Sequence, residues 1–176
     1  MSSPMQSQWF NDSDPESDSE SSESSESPVV QPMVLTMQGD DGSAQDLPDG
    51  SAQVDTGPMG ACVSIVLLWN FDPTTELYRN VRGFHGWGGF GAINLGSLLA
   101  NVPDAAETRI IACLGTDASP PESQDATRVT EAHQQDLLVN APLQIFAGLS
   151  QYIVGRDGSV QGLDATGSWA VIEPIA

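Results

Sequence analysis

The chain has no lysine, and its bases are five arginines (Arg79, Arg82, Arg109, Arg128, Arg156) and two histidines. Against them stand 24 Asp and Glu residues, a formal net charge of -19 at pH 7. So little positive charge excludes sequence-independent binding to nucleic acid or to an anionic membrane, since both rest on Lys and Arg neutralising phosphate. Two cysteines and two histidines leave no margin for a four-ligand Cys/His zinc site, and no cofactor or metal is expected. No apolar run approaches the roughly 20 residues that span a bilayer. A length of 176 residues suits one domain with a tail rather than two full domains.

The acids that are present are unevenly placed. Residues 1–60 hold 12 of the 24 acids and no base, and all five arginines follow. From Ser13 to Ser27, serine alternates with Asp and Glu, and nothing there can be buried. Such a composition does not offset an ordering cost of about 1–2 kcal/mol per residue, so a disordered, self-repelling arm is expected. Ser13 and Ser17 each have a glutamate three residues on, and Ser27 precedes Pro28. They are candidate phosphosites, each adding about -1.5 to -2 charge. Residues 28–38 form an apolar patch, either a short linear docking segment or a strand that joins the core, and its two prolines argue against a regular central strand. Asp41-Gly42-Ser43-Ala44-Gln45 recurs as Asp49-Gly50-Ser51-Ala52-Gln53; two copies read as a duplicated linker, not a solenoid. Residues 1–57 are therefore expected to be tail and linker, and 58–176 the folded domain. The first ten residues lack a basic n-region and an apolar h-region, so an intracellular location is expected, with Cys62 and Cys113 as reduced thiols.

Within 58–176 the pattern is that of strands. Residues 61–71 are apolar and β-branched and close on Asp72-Pro73, and residues 76–84 follow across a turn. Residues 107–114 form another strand candidate. Residues 115–141 read as a loop excursion, with about two helical turns at 129–139. Residues 143–147, 151–155, 160–163 and 168–172 read as four short strands, with turns at Arg156-Asp157-Gly158-Ser159 and Asp164-Ala165-Thr166-Gly167. Turns every 8–10 residues indicate an antiparallel meander. Six of the fourteen residues from Gly83 to Gly96 are glycine, beside large aromatics, as the wall of a tightly curved barrel requires. Gly86, Gly88 and Gly91 match G-x-G-x-x-G, but neither a Lys nor a Ser/Thr follows at phosphate-loop spacing, so nucleotide binding is not expected. The expected fold is all-β: a small closed antiparallel barrel of about eight strands.

The run Trp87-Gly88-Gly89-Phe90-Gly91-Ala92-Ile93-Asn94-Leu95-Gly96-Ser97-Leu98-Leu99, the hairpin Val154 to Gly162 and the closing Gly167-Ser168-Trp169 resemble the virulence-associated protein family of pathogenic actinobacteria. The resemblance covers roughly residues 58–170. It implies a disordered N-terminal segment, an eight-stranded glycine-rich barrel and no catalytic residues. This chain departs from the family by its insertion at 115–141, its shorter C-terminal end and its lack of a signal peptide.

Few residues stand out for chemistry. Cys113 with His133 is conceivable as nucleophile and base, but a cysteine among Ile110, Ile111, Ala112 and Leu114 reads as a structural thiol of raised pKa. Asp72, Glu76, Asp157, Asp164 and Glu173 fall near strand ends, where paired carboxylates do acid–base work, although most β proteins offer such pairs. Two functions in different classes remain. One is a non-enzymatic interaction protein, effector-like, whose acidic arm engages a protein with a basic surface and whose interior is filled. The alternative is a calycin-like ligand-binding barrel or small enzyme, with a site in the barrel mouth at His85, Trp87 and Tyr152 and a pocket of at least about 300 Å³.

Overall fold

The computed structural model describes residues 31–117, 124–135 and 137–176. The Ser/Asp/Glu arm, the candidate phosphosites Ser13, Ser17 and Ser27, and the paired prolines Pro120-Pro121 lie outside the described residues. The described strands are β1 (Met33–Val34), β2 (Met37–Gln38), β3 (Gln45–Asp46), β4 (Gln53–Asp55), β5 (Val63–Asp72), β6 (Leu77–Gly86), β7 (Arg109–Leu114), β8 (Leu143–Ala147), β9 (Tyr152–Gly155), β10 (Val160–Leu163) and β11 (Trp169–Val171). Two helices, α1 (Leu95–Leu99) and α2 (Gln124–Gln135), follow β6 and β7 respectively.

These elements do not close into a barrel. They form two open sheets, an outer one in the order β1-β4-β9-β10-β11 and a central one in the order β2-β6-β5-β7-β8, with β3 beside β2 on β6. The sheets are mixed: β1 runs parallel to β4, β2 to β6, and β7 to β8. The reason lies in β5. From Val63 to Trp69 every residue is buried, because both faces of this strand are covered. Val66 and Leu68 join a cluster with Ile111, Tyr152, Val154 and Val160 between the sheets. Ile65 and Leu67 join another with Phe84, Leu98, Ile110 and Val129, under the helices. A barrel wall has one solvent face and would alternate; a continuous apolar run marks a strand buried on both sides.

The region 115–141 is accordingly more than a loop excursion. It carries α2, whose Ala126 and Val129 are buried against the central sheet. A parallel β7–β8 pair needs such a crossover, and α2 supplies it. The glycine run is not a curved wall either. Its first part completes β6, and from Gly86 the chain leaves the sheet into a 3-10 turn at Phe90–Ala92 and then α1. A Cβ at Gly86 would lie 2.7 Å from Ile93 Cδ1 and 3.1 Å from the Gly89 carbonyl oxygen, so a side chain here would have to displace Ile93.

The segment 33–55 supplies β1 to β4: the apolar patch at 28–38 does contribute strands to the fold, and the repeated Asp-Gly-Ser-Ala-Gln stretches, read as a duplicated linker, contribute β3 and β4. Leu35 and Leu47 anchor them in the cluster between the sheets. Arg82 fixes β3: Nε donates to Asp46 Oδ1 at 2.6 Å and Nη1 to the Ala100 carbonyl at 2.6 Å, while its guanidinium lies 5.5 Å from the Trp69 ring centre. At the opposite edge, Ile175 N donates to Ile145 O (2.7 Å) and Ile145 N to Ala176 O (2.8 Å), so the last residues cover β8. Among the described residues, no helix is long and apolar enough to cross a membrane.

Candidate functional site

The three residues expected to ring a barrel mouth are not brought to one opening. His85 and Tyr152 are buried between the sheets, whereas Trp87 is 69% exposed in the turn after β6. Thr56 joins the two buried side chains. His85 Nδ1 lies 2.6 Å from the Thr56 carbonyl oxygen, and Tyr152 N donates to Thr56 Oγ1 at 3.0 Å. The Tyr152 hydroxyl donates to the Leu114 carbonyl at 2.6 Å and accepts from Leu149 N at 3.1 Å. Burial pushes the Tyr152 phenol above its ordinary pKa, and the nearby Cys113 adds to the shift. Burial likewise drives the His85 imidazole below its usual value despite the Thr56 carbonyl, so this ring is neutral.

Cys113 and His133 stand on opposite faces of the central sheet. Cys113 is fully buried between the sheets, and burial raises its thiol pKa strongly. His133 lies on α2, across the sheet, with Nε2 2.8 Å from the Ala141 carbonyl. The pair considered from the sequence is therefore not formed.

One of several open clefts lies at the end of the central sheet, where the β5–β6 turn, the start of β7 and the β9–β10 turn meet. It is a cleft of about 470 Å³ lined by Phe71, Tyr78, Glu76, Glu107, Arg109 and Asp157, among others. Each part has a local cause. Asp72 accepts from Thr74 N at 2.9 Å, closing the turn that brings Glu76 round. Asp72 also accepts from Arg79 Nη2 at 2.8 Å, and that bond, with the Thr74 amide, holds its carboxyl below the usual range. Phe71 and Tyr78 are cross-strand partners with ring centres 5.1 Å apart and planes tilted by 56°. The β9–β10 turn has Gly158 at φ +84°, the left-handed region that suits glycine, beside Arg109 and Tyr78. Within that turn, Asp157 Oδ1 accepts from Ser159 N (3.0 Å) and Oγ (2.7 Å). Burial works to raise the Asp157 pKa, but these bonds outweigh it and hold the carboxyl below its ordinary value.

Arg109 is distinctive. Its guanidinium lies 5.9 Å from the Tyr78 ring centre. The side chains of the other four arginines have hydrogen-bond partners; among the described residues the Arg109 guanidinium has no hydrogen bond or ion pair. The cleft thus combines an aromatic floor, three carboxylates and one cation with unused donors, and its lining sums to two negative charges at neutral pH. Glu76 and Asp157 were visible in the sequence as carboxylates near strand ends. Arg109 was missed; its signal was an isolated base opening an apolar strand two residues after Glu107. No protein-family model matches the chain, and no curated protein matches it.

Proposed function

We propose that the protein is a recognition module for a basic segment of a protein partner, with the Arg109 cleft receiving an arginine or lysine side chain. The observation that carries this is the pairing of the Phe71–Tyr78 floor with Glu76, Glu107 and Asp157 in one open cleft. A guanidinium stacks on aromatic faces and bonds to carboxylates, so this lining is complementary to it. The free donors of Arg109 suit the backbone carbonyls that flank such a side chain. The net charge of -19 speeds encounter with a basic partner without setting register.

The test is an NMR titration of the full chain with a short arginine-rich peptide, its citrulline counterpart and an acidic peptide. The arginine peptide is expected to shift the amides of Phe71, Tyr78 and Arg109, and the other two are not. Glu107→Gln and Asp157→Asn are each expected to weaken binding about fivefold, from about 1 kcal/mol per partly exposed ion pair. Equal response to citrulline, or shifts confined to residues 1–30, would sink the proposal.

One observation favours a second reading, a latent thiol nucleophile. β6 and β7 both run antiparallel to β5 and so parallel to each other, and their C-terminal ends carry His85 and Cys113. Both pair with Ser64, which places them on one face about 10 Å apart at the strand spacing. Here Thr56 and Met59 lie over that row, and the buried thiol is protonated. In Cys62→Ser protein, alkylation of Cys113 by iodoacetamide should be slow, and Met59→Gly should accelerate it at least tenfold. Equal rates in the two proteins remove this reading.

A further inference from the structure

A second group of chemistry-bearing side chains lies at the β2 edge of the interlayer, and the cleft makes no use of it. Cys62 Sγ lies 3.9 Å from Met37 Sδ. Two sulfurs each about 2.3 Å from one metal ion, at an angle of about 115°, stand about 3.9 Å apart. Met59 Sδ lies 3.5 Å from Ser64 Oγ, so a second thioether covers the same face two residues along from Cys62. His85 is the register partner of Met37 on one side and of Ser64 on the other. Paired residues leave a sheet on the same face, so imidazole, thioethers and thiol share one small region.

The imidazole supplies the independent sign. His85 is 1% exposed, and its Nε2 is one of two buried side-chain polar atoms without a hydrogen-bond partner among the described residues. Its Nδ1 faces the Thr56 carbonyl at 2.6 Å, so Nδ1 carries the proton and Nε2 holds the free lone pair. A histidine that ligates a metal has this arrangement: the far nitrogen donates to a carbonyl, which fixes tautomer and ring orientation. An unpaired buried acceptor otherwise costs stability and brings nothing in return.

We propose that Met37, Met59, Cys62 and His85 bind one soft monovalent metal ion, with Cu(I) as the physiological candidate. Thioether, thiolate and imidazole donors select Cu(I), whereas carboxylates and water suit hard ions. Among the described residues no three His, Cys, Asp or Glu side chains form a metal-binding group, so the site depends on its thioethers. Met37 is 49% exposed and gives an ion access to the buried donors. Binding releases the Cys62 proton to solvent, and no electron is transferred.

The experiment is an anaerobic titration of the reduced full chain with Cu(I) in competition with bicinchoninate, followed by X-ray absorption of the loaded protein. The expected result is one ion per chain, with two or three sulfur ligands and one nitrogen. Met37→Leu and Cys62→Ser are each expected to weaken binding at least tenfold. Met37 is half exposed, so M37L keeps the fold and circular dichroism checks this. H85Q is expected to remove the nitrogen scatterer. No competition with bicinchoninate, unchanged affinity in both M37L and C62S, or tighter binding of Zn(II) than of Cu(I) would each overturn the site.

Discussion

Leu67→Ala and Leu68→Ala are each expected to destabilise the protein by about 3 kcal/mol, within the roughly 2–5 kcal/mol of buried leucine truncations. The two side chains leave β5 on opposite faces. Leu67 packs under the helices and Leu68 between the sheets, and neither is exposed to solvent. Each truncation loses the transfer free energy of the deleted atoms and leaves a cavity that close-packed neighbours fill only partly. Near-equality of the two losses is the informative outcome. A closed barrel would turn one of these leucines to solvent, where truncation stays within about 0.5 kcal/mol. Urea unfolding followed by circular dichroism measures both, and a loss for either variant below about 1 kcal/mol would contradict a strand covered on both faces.

That comparison bears on what could be read from the chain. The C-terminal strands were legible almost to the residue, because Asp157-Gly158 and Asp164 with Gly167 punctuate them. Those aspartates cap the turns they open, with Asp164 Oδ1 accepting from Thr166 N at 2.8 Å and from Ser168 N at 3.0 Å. The β5–β6 hairpin was legible for the same reason at Asp72-Pro73. Turn chemistry is local, whereas the partner of each strand is not. Nothing near Val54 announces that it pairs with Val154, or near Met37 that it pairs with His85. The one sheet-level signal available was the stretch from Val63 to Trp69, apolar except for Ser64 and without polar alternation, which argued against a solvent face and so against the barrel. The cleft was legible only in fragments. Its residues come from the segments around Phe71, Glu107 and Asp157, and only tertiary packing joins them.

Removing the Arg156 side chain is expected to cost about 2–3 kcal/mol, and the reason is what it holds together. Arg156 opens the β9–β10 turn of the outer sheet. Its Nε donates to the Ser51 carbonyl at 2.7 Å, Nη1 to the carbonyls of Arg79 (2.6 Å) and Tyr78 (3.2 Å), and Nη2 to that of Pro48 at 3.1 Å. Its own carbonyl accepts from Tyr78 N at 2.8 Å, and its amide donates to Ala52 O at 3.0 Å. One guanidinium therefore ties the outer sheet, the central strand β6 and the loop before β4. A hydrogen bond to a charged donor contributes about 1.5–3 kcal/mol, less where solvent competes, and these bonds share one side chain, so the sum is far below additive. For Arg156→Ala the melting temperature should fall by about 5–10 °C at this chain length. Arg156→Lys should recover less than half of that, because an ammonium cannot reach the four carbonyls that the planar guanidinium spans. The same variants should weaken binding of the arginine peptide, since Asp157, which lines the cleft, follows Arg156 directly. A melting temperature within 2 °C of the parent for Arg156→Ala would show that packing alone aligns the two sheets. Asp157 would then owe its place to the Gly158 turn and the Ser159 bonds.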